Sequence, residues 1–367
     1  MAAGTVTSAE IALAEGWGWQ ATLSPLGSGR INDSYLAQGA SPRSARERDA
    51  AATTSQSAVG PQSSQERNRW VLQRLNRFVF RRPDVLMENV ARASVHLNAK
   101  RPGWTPKLIP TRNGASHVRL DNGVWRLWSY ASGRSLNRLD NDHQAEAAGR
   151  ALGQTHRWLR DLPGPRLDAA IPGHLQLDRC LANFDAREGA EPQLIDFIDA
   201  RRHLATRFRE RNATIHGDGH LDNLLFGEDG SVVTVLDLDT VMWGHWAWDF
   251  GDLARSALGG QALPTRFAAA ARGYLDAAKV SARVDDLVTA PRYVTFMIGL
   301  RYLIDHLDGD RYFKVGAHGE NRQRALDRFR FLEALEAAEP AFIAGAEGLV
   351  EASGLQDGLN DDDHRDH

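Results

Sequence analysis

ATIHGDGHLDNLLFGEDGSVVTVLDLD, residues Ala213–Asp239, is the stretch whose reading decides the fold. A short apolar lead-in reaches His216-Gly217-Asp218, four residues intervene, and Asn223 follows. Leu224-Leu225-Phe226 reads as a strand, Gly227-Glu228-Asp229-Gly230 as a turn, and Val232–Leu236 as a β-branched strand that delivers Asp237. Glycine and aspartate between two apolar runs are hairpin chemistry, because the turn needs residues that tolerate positive φ. Such a hairpin folds Asp237 back beside Asn223, since both lie next to its open end.

That arrangement gathers a carboxylate, an amide oxygen and a second carboxylate around one small volume. Phosphoryl transfer from Mg-ATP to a hydroxyl needs these groups: a base for the hydroxyl proton and two oxygen ligands that hold Mg²⁺ against the phosphates. Protein kinases present the same parts as an Asp, four residues, an Asn, and a metal-binding Asp after a hairpin. Asp218 is therefore the expected base, and Asn223 and Asp237 the expected metal ligands. Asp249-Phe250-Gly251 spells a kinase DFG motif, but it follows the tryptophan-rich Val241–Trp248 segment and no tight hairpin joins it to Asn223. Asp249 and Asp252 are expected to cap a helix, with bracing of the catalytic loop through its N–H groups as the alternative.

Toward the N-terminus, Ala9–Gly16 reads as a short helix, and Trp19–Leu23 and Ser34–Ala37 as strands. Between the strands lies a loop containing Gly27, Ser28 and Gly29. A glycine loop between two strands, rather than between strand and helix, fits a flap over phosphates and makes these three nucleotide candidates. Residues 38–68 turn to Ser, Ala, Gln and Arg with almost no core former, which predicts a disordered insertion. Arg69–Leu75 is the next strand. A kinase places a phosphate-gripping lysine here; this chain offers Gln73 and Arg74, which point to opposite faces. Gln73 is the inward candidate and Arg74 its rival, so Glu88, on the expected helix Pro83–Ala99, has no lysine to pair with. Leu108–Thr111, His117–Leu120 and Val124–Trp128 complete the sheet. Ser129, Tyr130 and Ala131 then begin either a hinge whose backbone meets an adenine edge or a plain linker.

Toward the C-terminus the chain is mostly helical from Asn141. His156 shares a face with Ala148, Leu152 and Leu159, which makes it a packed histidine. Ile171-Pro172-Gly173-His174 is a loop with His174 as a substrate candidate. Ile195–Phe208 reads as one amphipathic helix. Trp243, Trp246 and Trp248 either stack on a sugar face or pack the core. Pro291–Leu307 is an apolar helix carrying Arg301 and Asp305, with Asp308 just beyond. Charges on such a helix need partners, either one another or the hydroxyls of an acceptor.

The bulk composition agrees with this reading. A chain of 367 residues supports two lobes, and 42% hydrophobic with 25% charged residues is ordinary for a soluble protein. A formal charge of −3 gives no basic field for nucleic acid. Cys180 is the single cysteine, which excludes an internal disulfide and fits a reducing cytoplasm. The first residues lack a signal-peptide pattern, and no apolar run reaches the roughly 20 residues of a membrane helix. The expected fold class is α+β, a bilobal protein-kinase-like fold. It has a small antiparallel-sheet lobe at 1–128, a hinge at 129–133, a larger helical lobe at 134–353, and an acidic disordered tail at 354–367.

HGDGHLDN followed by VLDLD resembles the signature of the aminoglycoside phosphotransferase and choline kinase superfamily. LGSGRINDSYL, VLQRLNRFVFRRPDVLMENV, LIPTRNG, LDLDTVMWGHWAWDFGDLARS and GLRYLIDHLDGDRYFKV look closer to its N-acetylhexosamine 1-kinase branch, in which VLQRLN also looks usual. The resemblance implies ATP- and Mg²⁺-dependent phosphorylation of a small sugar or amino-sugar acceptor, at the anomeric hydroxyl of N-acetylglucosamine or N-acetylgalactosamine. It implies Asp218 as base, Asn223 and Asp237 on Mg²⁺, Gly27–Gly29 over the phosphates, and Arg301 and Asp305 on the acceptor. The motif specifies the acceptor poorly, because acceptor contacts come from variable helices. Kinases of aminoglycosides, amino alcohols or other sugars, and a nucleotide-binding pseudokinase scaffold, are the competing readings.

Overall fold

The computed structural model describes residues 2–26, 31–39, 68–280 and 282–352. The chain is α+β and divides into two units. One holds Met1–Gly133 together with the later segments Asp168–Pro172 and Thr234–Thr240; the other holds Arg134–Leu167, Gly173–Val233 and Val241–His367.

The first unit runs α1 (Ala2–Trp17), β1 (Thr22–Pro25), β2 (Asp33–Gln38), β3 (Arg69–Arg74), α2 (Pro83–Lys100), β4 (Leu108–Ile109), β5 (Val118–Leu120) and β6 (Gly123–Ser129). The strands form one antiparallel sheet in the order β1-β2-β3-β6-β4, with β5 also paired to β6. Register places Tyr35, Leu72 and Leu127 in one row and Ser34, Gln73 and Arg126 in the next. Side chains alternate along a strand, so the two rows face opposite sides. The apolar row joins Leu13, Trp17 and Trp19 in a core beneath α1. The polar row meets α2, where Met87 Sδ lies 4.0 Å from Arg126 Nη1. Pro83 opens α2 in its first turn, and the expected stripe of Leu86, Val90, Ala93 and Leu97 is fully buried. The strand expected at Trp19–Leu23 starts later, because Trp19 is drawn into the core edge-on to Trp70 at 4.5 Å. The predicted loop at Gly27–Gly29 and the insertion, apart from residues 38, 39 and 68, lie outside the described residues.

The second unit opens with β7 (Arg134–Ser135), α3 (Asp142–Leu159), α4 (Leu177–Asp185) and α5 (Pro192–Asp199). The short strands β8 (Ala213–Ile215), β9 (Leu224–Phe226), β10 (Val232–Val235, its last two residues counted with the first unit) and β11 (Met242–Gly244) follow. The helices α6 (Trp246–Leu258), α7 (Pro264–Ala278), α8 (Val284–Leu307), α9 (Glu320–Ala337) and α10 (Glu339–Ala352) complete it. The strands make two small sheets, β10-β9-β7 and β11-β8. Helices α3 and α7 meet backbone to backbone: a Cβ on Gly149 would lie 2.0 Å from the Ala270 carbonyl oxygen, and one on Gly273 2.0 Å from that of Glu146.

Two helix expectations need correction. Ile195–Phe208 is not one helix: α5 ends at Asp199 and a 3₁₀ segment spans Arg202–Thr206. The Arg201 guanidinium takes the Phe197 carbonyl at 3.0 Å, satisfying the helix end, and Phe208 turns to φ +55°. Helix α8 starts at Val284, not Pro291, and carries the proline inside. Leu287 and Val288 are fully buried, and that burial offsets the hydrogen bond a proline cannot make.

Candidate active site

In the second unit β8 pairs antiparallel with β11, and the loop His216–His220 leaves the end of β8. Gly217 has φ +83°, a conformation that penalises any Cβ. At Gly219 a Cβ would stand 2.4 Å from the Asp249 carbonyl oxygen, so only glycine lets the loop lie against α6. The Asp249 carboxylate is fully buried and accepts from His216 N at 2.6 Å and Gly217 N at 2.8 Å. It also meets His156 Nε2 at 2.8 Å, while His156 Nδ1 lies 3.0 Å from the Tyr274 hydroxyl. Burial, then the Asp249 charge, pushes the Tyr274 pKa well up, which keeps its proton available to Nδ1.

Asp249 therefore braces the His216–His220 loop. It does not cap α6: the cap is His245, whose Nδ1 accepts from Ala247 N at 3.1 Å. His156 is packed, as its helical face suggested, and it also links α3 and α7 to the brace. Further along, Leu221 N donates to Ser256 Oγ at 3.1 Å, and buried Asp252 pairs with Arg255.

Asn223 closes a 3₁₀ turn, Leu221–Asn223, whose cap is His220. Its Nδ2 donates to the Asp218 carbonyl at 2.9 Å and to Asp218 Oδ2 at 2.8 Å. The structure thus brings Asp218 and Asn223 together. Burial works to raise the Asp218 pKa, but His220, His216, the Asn223 amide and His174 outweigh it and hold the carboxyl below its usual range. His174 Nε2 donates to the Gly217 carbonyl at 2.7 Å. Burial, and then the Arg301 charge, pushes the His174 pKa down to about 4, so this imidazole is neutral at pH 7.

Asp237 belongs to the first unit. It sits at φ +56°, a left-handed conformation that a non-glycine residue rarely adopts. Two residues on, Asp239 is buried in a network that sequence reasoning missed. Arg126 Nη1 donates to Asp239 Oδ1 at 2.5 Å, and Arg126 Nη2 and Asn32 Nδ2 donate to Oδ2 at 2.9 and 2.8 Å. The Oε1 of Gln73 accepts from Arg126 Nε at 3.1 Å, Arg126 Nη2 at 2.9 Å and Trp128 Nε1 at 2.8 Å, and its Nε2 donates to Ser34 Oγ at 3.0 Å. Gln73 is thus the partner of Arg126 on the α2 side of the sheet. Arg74 faces the other way and pairs with Asp33 at 2.6 Å. A signal was present in the sequence: a charge at Arg126 inside the apolar run Val124–Trp128 requires a buried counter-ion.

The remaining candidates are placed as follows. Asp305 is buried and accepts four hydrogen bonds from its own chain: from Arg311 N and Tyr312 N at 2.9 and 2.6 Å, Phe313 N at 2.9 Å, and Asn321 Nδ2 at 2.8 Å. Arg301 is half-buried with its guanidinium 5.6 Å from the rings of both Tyr312 and Phe313. Ser129 N donates to the Lys107 carbonyl at 2.8 Å and Tyr130 N to that of Arg69 at 3.3 Å, while Ala131 follows the end of β6. Trp246 and Trp248 are buried, with Trp246 stacked on Tyr274 at 5.7 Å; Trp243 is half-buried under Arg166 at 4.2 Å.

Residues 22–286 match the phosphotransferase enzyme family typified by aminoglycoside phosphotransferases, and the chain belongs to that family. It is a small-molecule phosphotransferase with the protein-kinase-like fold of the aminoglycoside phosphotransferase and choline kinase group. Among solved structures, a choline/ethanolamine kinase family protein from Mesorhizobium loti is similar over 95% of this chain and 99% of its own, at 17% identity and a TM-score of 0.58. A microcompartment-associated aminopropanol kinase is similar over 94% and 99%, at 15% identity and a TM-score of 0.60. A spectinomycin phosphotransferase, solved with ADP and spectinomycin, is similar over 95% and 98%, at 14% identity and a TM-score of 0.52. No helix among the described residues is long and apolar enough to cross a membrane.

Proposed function

We propose that this phosphotransferase is a kinase that moves the γ-phosphoryl group of ATP to the anomeric hydroxyl of an N-acetylhexosamine. The observation that carries the reading is the Asp218–Asn223 pair, held on a loop whose backbone is pinned by Asp249. Asp218 is ionised at neutral pH and oriented through Oδ2, which leaves Oδ1 to face an acceptor hydroxyl. In the reaction the acceptor oxygen bonds to the γ-phosphorus, the bond to the β–γ bridging oxygen breaks, ADP leaves, and the hydroxyl proton passes to Asp218.

The amide nitrogen of Asn223 is spent on Asp218, so its oxygen is the atom offered to a cation; with the Asp237 carboxylate this is the hard oxygen set that suits Mg²⁺. Bound Mg²⁺ would neutralise phosphate charge. The left-handed backbone at Asp237 is the kind of strain that functional positions retain. Use of ATP is supported by the family and by the ADP in the similar spectinomycin phosphotransferase. Gln73 acts through Arg126, the backbone at Ser129–Ala131 receives the adenine edge, and Gly27, Ser28 and Gly29 cover the phosphates.

A neutral acceptor is favoured over a polycationic one because Arg301 holds a positive charge beside Tyr312 and Phe313 and close enough to depress the His174 pKa. Asp305 contributes by fixing the 311–313 backbone that carries those rings. The test is ADP release from Mg-ATP against N-acetylhexosamines, neutral hexoses, choline and aminoglycosides, with phosphorus NMR of the product and an Asp218→Asn control. An anomeric phosphate on an N-acetylhexosamine is expected. Turnover with another acceptor overturns the substrate, and undiminished turnover by Asp218→Asn overturns the base.

A further inference from the structure

The last turn of α8, the loop after it and the residue before the α9 cap bring together three side chains that the phosphotransfer chemistry does not use. His306, Asp310 and His318 each offer a ligand atom, and these atoms all lie within 4.8 Å of one another. His318 Nδ1 is 3.0 Å from Asp310 Oδ2, and His306 Nδ1 is 3.9 Å from Asp310 Oδ1. Two ligands on a tetrahedral zinc, each at about 2.0–2.1 Å, stand about 3.3 Å apart, and the two spacings bracket that value.

The Asp310 side chain is only 5% exposed, and among the described residues its ion-pair partners are these two histidines. No guanidinium or ammonium pairs with it among those residues. A carboxylate so enclosed, with imidazole nitrogens on two sides of it, is a place where a bound cation supplies compensating positive charge. The His306 Nδ1 atom is buried without a hydrogen bond. The carboxylate is also preset: Asp310 is held at φ +58°, and the Asn321 amide donates to Oδ1 at 3.0 Å.

We propose that His306, Asp310 and His318 form a binding site for a borderline transition-metal dication of the zinc class, with water completing the coordination. Two imidazole nitrogens and one carboxylate oxygen select Zn²⁺ over Mg²⁺ or Ca²⁺, which prefer all-oxygen sets. The metal would clamp the end of α8 to the start of α9 across the loop that presents Tyr312 and Phe313 to Arg301.

The test is Zn²⁺ competition between the full-length, untagged protein and a chromophoric chelator, with Co²⁺ as a spectroscopic substitute and Mg²⁺ as a control. The expected result is capture of one Zn²⁺ per chain and intense visible Co²⁺ bands of four-coordinate geometry. Asp310→Asn and His318→Gln should each weaken capture at least about tenfold, the lower end of what removing even a supporting partner behind a ligand costs. The His318 side chain is 81% exposed, so His318→Gln leaves the fold intact, as checked by circular dichroism. His364 and His367 near the C-terminus are a rival source of binding. Capture that survives His364→Gln/His367→Gln but weakens with His318→Gln supports the loop site. Capture unaffected by His318→Gln, or no stoichiometric capture, overturns it.

Discussion

Replacing Asp239 by asparagine isolates the buried pair that organises the first unit. The Arg126 and Asp239 side chains are 2% and 3% exposed. Both terminal nitrogens of Arg126 and the Asn32 amide donate to the Asp239 carboxylate. An asparagine keeps the volume but aims an NH₂ group at one of those donors and leaves the guanidinium without its counter-ion. Breaking one side of such a pair costs about 3–5 kcal/mol. That is a large share of the roughly 5–15 kcal/mol that stabilises a domain.

With a urea slope of about 2 kcal/mol/M, the unfolding midpoint should fall by about 2 M. Tryptophan fluorescence is the natural probe, because Trp125 and Trp128 flank Arg126 and Trp128 shares its Gln73 acceptor. Arg126→Met should cost a similar amount, whereas the double replacement Arg126→Met/Asp239→Leu removes both charges. The double variant should therefore be more stable than the sum of the single losses predicts, by at least about 2 kcal/mol, within the range measured for contacting pairs. A midpoint shift below about 0.5 M for Asp239→Asn, or additivity within about 0.5 kcal/mol, would refute the reasoning.

Gly219→Ala should displace the His216–His220 loop from α6, costing about 1–3 kcal/mol as overpacking does and lowering kcat; a variant as stable and active as the parent would show that the loop does not need that approach. Asp249→Asn should lower kcat while far-UV circular dichroism stays unchanged, because the charge that holds His216 N and Gly217 N is lost; equal kcat in the two proteins counts against the brace. His174 has a folded-state pKa of about 4 against an ordinary 6.5, so the unfolded chain binds more protons between those values. Its contribution to stability is fully present above about pH 6.5 and is lost as the pH falls toward 4. His174→Gln should flatten the pH dependence of the urea midpoint across that window, and an unchanged slope would contradict the assignment.

How much could be read in advance depended on how local each feature is. The Asp218–Asn223 relation lies within six residues of chain, and its turn chemistry sets it, so spacing was enough to pair them. The same holds for α2, where a proline in the first turn and an apolar stripe at helical period define the element. Boundaries were less legible where side chains answered to distant partners: Trp19 left its strand for a core shared with Trp70, and Arg201, just past the end of α5 at Asp199, is held by Glu336. Asp249 looked like a cap because aspartate near a helix start often is one. Its true partners are 32 and 33 residues back along the chain, together with His156, 93 residues away.

The sequence by itself determined the phosphotransferase signature and the class of fold, because both rest on residue type at short, fixed spacing. Only the tertiary structure decided that Gln73 serves Arg126, that Asp239 neutralises a buried charge 113 positions away, and that Asp305 holds its own loop. Buried charge and hydrogen bonding are settled by what lies within about 3 Å in space, and a linear pattern does not record which distant residue arrives there.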